Sequence, residues 1–253
     1  MTQSTVDLNC DLGEGFGRYR LGNDAALLDI VTSANIACGF HAGDPAIMAR
    51  TVGLAAERGV AIGAHPSLPD LQGFGRRDMA ITPDEAYQIV LYQIGALSGF
   101  ARAVGATLHH VKPHGALYNM AAADPGLARA IARAVRDFDP KLHLVGLAGS
   151  ELVRKAESAG LRAVSEVFAN RAYLANGSLA PRSSPGAVIH DIDAVVARVL
   201  RMVREGKVDS VDGGTVSIKA QTICVHGDTP GAVDLAQALR DALLADGIAL
   251  LPT

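Results

Sequence analysis

Nothing in this sequence divides it. No stretch rich in proline, glycine or serine and no run of like charge separates its 253 residues into parts. α/β barrels commonly reach this length as one domain, so a single (β/α) domain over 1–253 is expected, large enough to need no staples. Cysteine is scarce: Cys10, Cys38 and Cys224 are odd in number and widely spaced. That pattern excludes a disulfide framework and makes the reducing cytoplasm the natural compartment. The start, MTQSTVDLNCD, lacks the basic residues and apolar run of a signal peptide, and no window is apolar enough for long enough to span a bilayer. Neither sign of charge is in large excess. With a net charge of −3, neither nucleic acid nor an anionic membrane is an expected partner. Also missing are G-x-x-x-x-G-K-[ST], a G-x-G-x-x-G after a strand, and G-x-S-x-G. Their absence excludes a P-loop, a dinucleotide fingerprint and the elbow of a serine hydrolase.

What is present is legible punctuation. Asp44-Pro45, Thr82-Pro83, Asp124-Pro125 and Thr229-Pro230 each read as an N-cap followed by proline at the first helical position. Glu85, three residues after Thr82, completes a capping box. Gly59, Gly105, Gly160, Gly206 and Gly247 sit where helices should stop. Between these marks lie strand candidates at Val6–Cys10, Asn35–Phe40, Val60–His65, Leu108–Lys112, Leu142–Leu147, Ala163–Phe168 and Thr222–His226. Most look apolar without strict alternation, as strands covered on both faces do. Such repeated β–α alternation predicts a parallel sheet, closed or nearly closed into a barrel. Val208–Val211 and Thr215–Ile218, on either side of Asp212-Gly213-Gly214, read as an inserted hairpin.

Polar residues cluster where these strands end. Asp7, Asn9, Asp11 and Glu14 come first, then His41 and Asp44, His65, Lys112 and His114, Glu166, and finally His226 and Asp228. The C-terminal strand ends of a parallel barrel open on one face, so clusters distant in sequence converge there. Asp44 and Asp228 stand at helix starts, where capping alone accounts for an aspartate. His41, His65, His114 and His226 each follow a strand beside small residues, as general acid–base or binding groups would. His109, His143 and His190 lack that placement and read as structural, while the cysteines, inside strands, read as small buried side chains. Lys112, at a strand end before Pro113, needs an anionic partner: a substrate carboxylate, a phosphate or a developing oxyanion. The loop Gly73-Phe74-Gly75-Arg76-Arg77 offers backbone amides and two guanidinium groups to an anion, or is an ordinary surface loop.

At this point longer motifs stand together. DLNCDLGEGFG (7–17), NIACGFHAGDP (35–45), GAHPSLPDLQGFGRR (63–77), VKPHGALYN (111–119), EVFANRAYLANGSLAPRSSPGAVI (166–189) and ICVHGDTPGAV (223–233) closely resemble the LamB/YcsF family. The resemblance runs from near the N-terminus to the last helix. It departs at Asn170 and Asn176, where aspartates are expected, and at Leu68, where a tyrosine is. It implies a distorted TIM-like barrel similar to the glycoside hydrolase/deacetylase group. It also implies the A component of prokaryotic ATP-dependent 5-oxoprolinase, which hydrolyses 5-oxo-L-proline to L-glutamate. ATP is then a co-substrate, and the B and C subunits are partners.

Within that frame Asp11 or Glu14 is the expected general base on water, in a pocket closed by His41, His65, His114 and His226. Lys112 and one of Arg76, Arg77, Arg171 or Arg182 would hold the substrate carboxylate or the oxyanion, with Asn9 and Glu166 also on the substrate. A second reading is a metal-dependent amidase or deacetylase, with Asp11, His41 and His65 on a divalent ion. A third is a non-catalytic subunit that binds the lactam for a partner.

Overall fold

The computed structural model describes residues 5–253. In chain order its elements are β1 (Thr5–Leu12), α1 (Asp24–Leu28), β2 (Ser33–Ala37), α2 (Pro45–Glu57), β3 (Ala61–His65) and α3 (Pro83–Ala103). Next come β4 (His110–Val111), α4 (Gly115–Ala123), α5 (Pro125–Phe138), β5 (His143–Leu147), α6 (Glu151–Ser158) and β6 (Arg162–Phe168). The chain ends with α7 (Ile192–Glu205), β7 (Lys207–Asp209), β8 (Thr215–Ser217), β9 (Thr222–His226), α8 (Ala232–Ala245) and β10 (Ala249–Leu250). β1 through β6 pair in order and in parallel, β9 pairs with both β6 and β1, and a seven-stranded barrel closes. β10 adds in parallel outside the start of β1, and β7 with β8 forms the expected antiparallel hairpin.

Local chemistry accounts for most element boundaries. Asp44, Thr82 and Asp124 cap α2, α3 and α5 with their side chains, and the Thr82–Glu85 capping box is present. The five terminator glycines all adopt positive φ, and Gly206 ends α7 directly. Thr229-Pro230 departs from expectation: α8 starts after Gly231, and the Thr229 carbonyl instead accepts from the Ala232 amide in a turn. β4 is short, and Pro113 within its continuation has no amide to donate; on the β3 side the Lys112 and His114 amides still bond the Ala64 and Pro66 carbonyls.

The strand faces also differ from expectation. Strands covered on both sides need not be apolar on both, and these alternate. In β1, Val6, Leu8, Cys10 and Leu12 pack in the hydrophobic core beneath the helices. Asp7, Asn9 and Asp11 face the barrel interior, where each finds partners on other strands. The interior is therefore a buried polar column that must be fully hydrogen-bonded. Asp7 accepts from Ser33, and Asn35 donates to both Asn9 and Asp11. His110, two residues before Lys112 in the strand's alternation, donates from Nε2 to the Asn35 side-chain oxygen at 2.8 Å. Its ring fills the space where any side chain at Gly63 would stand, which explains a glycine inside β3.

All three cysteines are buried free thiols, with Cys38 one residue beyond β2 instead of inside a strand. Burial pushes the Cys38 thiol up to about 12 and raises those of Cys10 and Cys224 further, so none is a ready nucleophile.

Candidate active site

The top of the column opens into a cavity of about 800 Å³ at the C-terminal end of the barrel. Asp11, His65, Lys112, His114 and His226 line it, and Arg76, Arg171 and Arg182 stand on its walls. Glu14 and His41 belong to the same polar cluster but sit behind the His65–His114 pair, away from the cavity. Register places the chemistry: Asp11 lies opposite His226 on β9, one layer above Asn9 opposite Cys224. His65 ends β3, and Lys112 follows β4.

Lys112 is almost fully buried, 2% exposed, and its Nζ meets four neighbours. They are Glu166 Oε1 at 2.7 Å, Asp11 Oδ1 at 3.0 Å, Cys224 Sγ at 3.1 Å and Asn9 Oδ1 at 3.2 Å. Burial alone would lower its pKa, but Asp11 and Glu166 outweigh it and hold the ammonium charged well above its usual range. Burial would likewise raise the Asp11 carboxyl, yet His65 and Lys112 keep it well below the usual carboxylate range. Asp11 Oδ1 is taken by Lys112 and Asn35, which leaves Oδ2 free, 3.4 Å from His65 Nε2. Glu14 is shifted the other way: burial and the Asp11 charge push its carboxyl well up. The two carboxyl groups, interchangeable as bases in the sequence, are thus set apart by surroundings and by access. Tyr118, which no sequence motif singles out, donates its hydroxyl to Glu166 Oε2 at 2.7 Å and completes the shell around that carboxylate.

The histidines form one stack. His41 and His114 lie nearly parallel with ring centres 3.7 Å apart, and His65 meets both edge-on. Burial pushes the pKa of His41, His114 and His226 down, so these rings are neutral. His226 accepts from the Arg182 guanidinium at 3.0 Å while its Nδ1 is buried without a partner, and the Phe168 ring stacks on it.

The glycine-rich loop after β3 divides its roles. Arg76 reaches the mouth and pairs with Asp228 at 2.8 Å, and Asp228 caps no helix, because α8 begins after Gly231. Arg77 turns away to a bidentate pair with Asp70, with its side chain largely in solvent, and does not join the cavity. Arg171 is buried and spends its donors on the carbonyls of Ala180 and Ala187, which ties down the wall loop. Asp44 serves as a cap and as an acceptor for the Gly17 amide. Asn176 holds a turn by accepting from Ser178, and Asn170 is buried beside the wall with its side-chain oxygen unpartnered.

The GFG turn in that loop packs against the histidines. Phe74 adopts φ 55°, a strained conformation for a non-glycine residue, and its carbonyl accepts from His114 Nε2. Gly75, φ 63°, packs so closely that a Cβ would strike Ser67 and come 2.8 Å from the Cβ of His41. Gly75→Ala is expected to cost about 2–4 kcal/mol, roughly 1 from left-handed backbone and the rest from overpacking. Urea unfolding measures it; a midpoint like that of the unaltered protein means the loop does not hold the stack.

The LamB/YcsF family pattern matches residues 6–253. The chain is 61% identical to the A component of 5-oxoprolinase from Bordetella pertussis, over 97% of each chain. It is 60% identical to the Bacillus subtilis protein of the same name, over 96% of this chain and 95% of that one. A crystal structure of a lactam utilization protein from Thermus thermophilus superposes with a TM-score of 0.93 at 53% identity, covering 98% of this chain and all of that one. A family 4 carbohydrate esterase from Streptomyces lividans superposes at 0.51 and 13% identity, over 98% of this chain and 91% of that one, a likeness of fold alone.

Proposed function

The chain belongs to the LamB/YcsF family, and from that membership and the geometry of the barrel mouth we propose that it is the A component of an ATP-dependent 5-oxoprolinase, housing the ring-opening step. The single observation that carries the assignment to this cavity is the pairing of a free carboxylate oxygen with a buried ammonium. Asp11 lines the cavity while Lys112 holds its Oδ1 at 3.0 Å, which leaves Oδ2 without a bond from Lys112 or Asn35. The substrate, 5-oxo-L-proline, carries one carboxylate and one lactam carbonyl. Arg182 and Arg76 supply cations at the mouth for the carboxylate, and Lys112 lies deeper, where charge develops on the lactam oxygen. Asp11 takes the proton of the attacking water, with His226 beside it in register.

Coupling to ATP follows from the lactam itself. Its amide is resonance-stabilised, and simple hydrolysis reverses readily. Phosphorylating the lactam oxygen makes the ring carbon electrophilic: water adds, the C–N bond breaks with the nitrogen leaving as the amine, and the acyl phosphate left behind is hydrolysed to glutamate and phosphate. Ring opening is thus drawn forward by conversion of ATP to ADP and phosphate. The cavity is far larger than a five-membered ring, so a phosphorylated form fits as well. The B and C subunits are the partners in this reading. Three buried, unpaired thiols suit the cytoplasm, and among the described residues no helix is long and apolar enough to cross a membrane.

Reconstitution tests the proposal. The chain mixed with its B and C subunits, 5-oxoproline and ATP should release glutamate and ADP in equal amounts, and leaving the chain out should abolish glutamate. Full turnover by B and C alone overturns it.

A further inference from the structure

Backbone carbonyls fix the tautomers of two histidines at the floor of the mouth. His65 Nδ1 lies 2.7 Å from the Lys112 carbonyl oxygen, and His114 Nε2 lies 2.9 Å from that of Phe74. A carbonyl oxygen only accepts, so each of these nitrogens carries its ring's proton. In the neutral rings the opposite nitrogens, His65 Nε2 and His114 Nδ1, are lone pairs, and they face each other at 2.9 Å. Two carboxylate oxygens close on the same point. Glu14 Oε1 is 3.4 Å from His114 Nδ1, and Asp11 Oδ2 is 3.4 Å from His65 Nε2. The nearest ammonium, Lys112, is turned to the other oxygen of Asp11 and to Glu166. His41 Nε2 shares a hydrogen bond with Glu14 Oε1 at 3.0 Å, which braces that carboxyl group. Four buried atoms of ligand type thus converge with no ammonium or guanidinium between them, a point that a divalent ion can fill in place of protons on Glu14 or the rings.

We propose that His65 Nε2, His114 Nδ1 and Glu14 Oε1 bind one divalent transition-metal ion, with Asp11 Oδ2 beside its open side. Ligand atoms of Glu14, His41, His65 and His114 all lie within 4.8 Å of one another. A far ring nitrogen tied to a backbone carbonyl is the outer-shell arrangement by which metal-binding histidines are oriented. Here one of those carbonyls belongs to the strained Phe74, so the loop conformation serves the site. Two imidazoles and a carboxylate favour zinc, manganese, iron or cobalt over calcium or magnesium. This set differs from the Asp11, His41 and His65 expected from sequence, because His41 spends its Nε2 on Glu14 and His114 takes its place. A second cluster, Asp11, Cys224 and His226, is excluded as a metal site by the Lys112 ammonium already seated between Asp11 and Cys224. The inference rests on the proton inventory and is independent of the reaction proposed above.

Chelator-stripped protein titrated with Co²⁺ tests this by calorimetry and visible absorption, with no turnover involved. One Co²⁺ per chain is expected, with ligand-field bands that Zn²⁺ abolishes by displacement. His65→Ala and His114→Ala should each weaken uptake about a hundredfold or more, beyond the roughly 10- to 100-fold typical of outer-shell changes. Cys224→Ala should leave uptake unchanged. Circular dichroism of each metal-free variant confirms folding, and Glu14→Gln replaces any histidine variant that does not fold. No Co²⁺ uptake by the folded unaltered protein, or uptake indifferent to all three ligand substitutions, overturns the proposal; a proton shared between the two rings then accounts for their contact.

Discussion

Lys112→Met is expected to lower turnover of the reconstituted enzyme about a hundredfold or more, the range for removing one preorganised group that stabilises developing charge. Unlike a surface substitution, it should also cost stability. Methionine preserves volume, and from the sequence alone that suggests an undisturbed fold. The structure changes the expectation, because the ammonium stands between Asp11 and Glu166, both buried, with Cys224 alongside. Breaking a buried ion pair by removing one partner costs about 3–5 kcal/mol, here eased where a carboxyl takes up a proton. The sign follows from the shift. A lysine whose folded pKa is raised contributes stability that is fully present below its ordinary value near 10.5 and is lost only at still higher pH. The loss on substitution is therefore felt in full at neutral pH. Activity and stability can be separated by the double variant Lys112→Met/Glu166→Gln, which removes one of the stranded charges. It should recover much of the melting temperature and none of the turnover. If Lys112 grips only the ground-state carboxylate, the Michaelis constant rises and kcat stays near that of the unaltered protein. Normal kinetics with a lowered melting temperature removes Lys112 from the chemistry and leaves it as a strut of the barrel.

The same column of charges explains what could and could not be read before the structure. Strand ends were legible because proline, capping side chains and glycine mark them locally, as at Asp44-Pro45 and Gly59. Convergence of Asp11, His65, Lys112, His114 and His226 was legible because parallel strands all end on one face. The barrel interior was not. In β1 the sequence VDLNCDL alternates strictly, but the interior polar positions of the other strands include serine, cysteine and glycine, which read as apolar or neutral. His110 was legible as alternating onto one side with Lys112 and His114 if the strand continued, but its interior partner Asn35, on another strand, was not. Arg76 and Arg77 are adjacent and chemically equal. A turn sends one to Asp228 at the mouth and leaves the other exposed, paired with the buried Asp70 away from the cavity, and no spacing rule distinguishes them. Tyr118, one turn into α4, could have been noticed as a hydroxyl facing the same end as His114, but a tyrosine in an apolar helix defaults to core. Thr229-Pro230 failed for a related reason: proline after threonine fits a turn as well as a helix start, and Gly231 decided for the turn.

Asp11→Asn is expected to lower kcat by roughly 10²–10⁴, the contribution of a positioned general base, with little change in the Michaelis constant. The argument starts from Oδ2, the one carboxylate oxygen at the mouth that accepts from neither Lys112 nor Asn35. Glu14, the alternative base in the sequence, lies behind the histidines and does not line the cavity. Glu14→Gln should therefore affect turnover differently, through the histidine stack it touches and not through loss of a base. Asparagine at position 11 keeps the size and one oxygen for the Lys112 ammonium, and Glu166 still neutralises that charge at 2.7 Å. Stability should fall only modestly at neutral pH, and the variant should be less sensitive to acid than the unaltered protein. The direction follows from the lowered carboxyl: Asp11 stabilises the fold above its ordinary pKa near 3.8, and that contribution is lost as pH falls through the folded value. A variant that cannot take up that proton loses this source of acid sensitivity. Two measurements decide the matter, steady-state kinetics of the reconstituted complex and urea midpoints at neutral pH and at a pH below the ordinary Asp value of 3.8. Unchanged kcat in Asp11→Asn, with a large loss in Glu14→Gln, moves the base to Glu14 and requires the water to approach from behind the histidines. Near-normal kcat in both variants takes the hydrolytic step out of this barrel and leaves its mouth as a binding site serving another component of the complex.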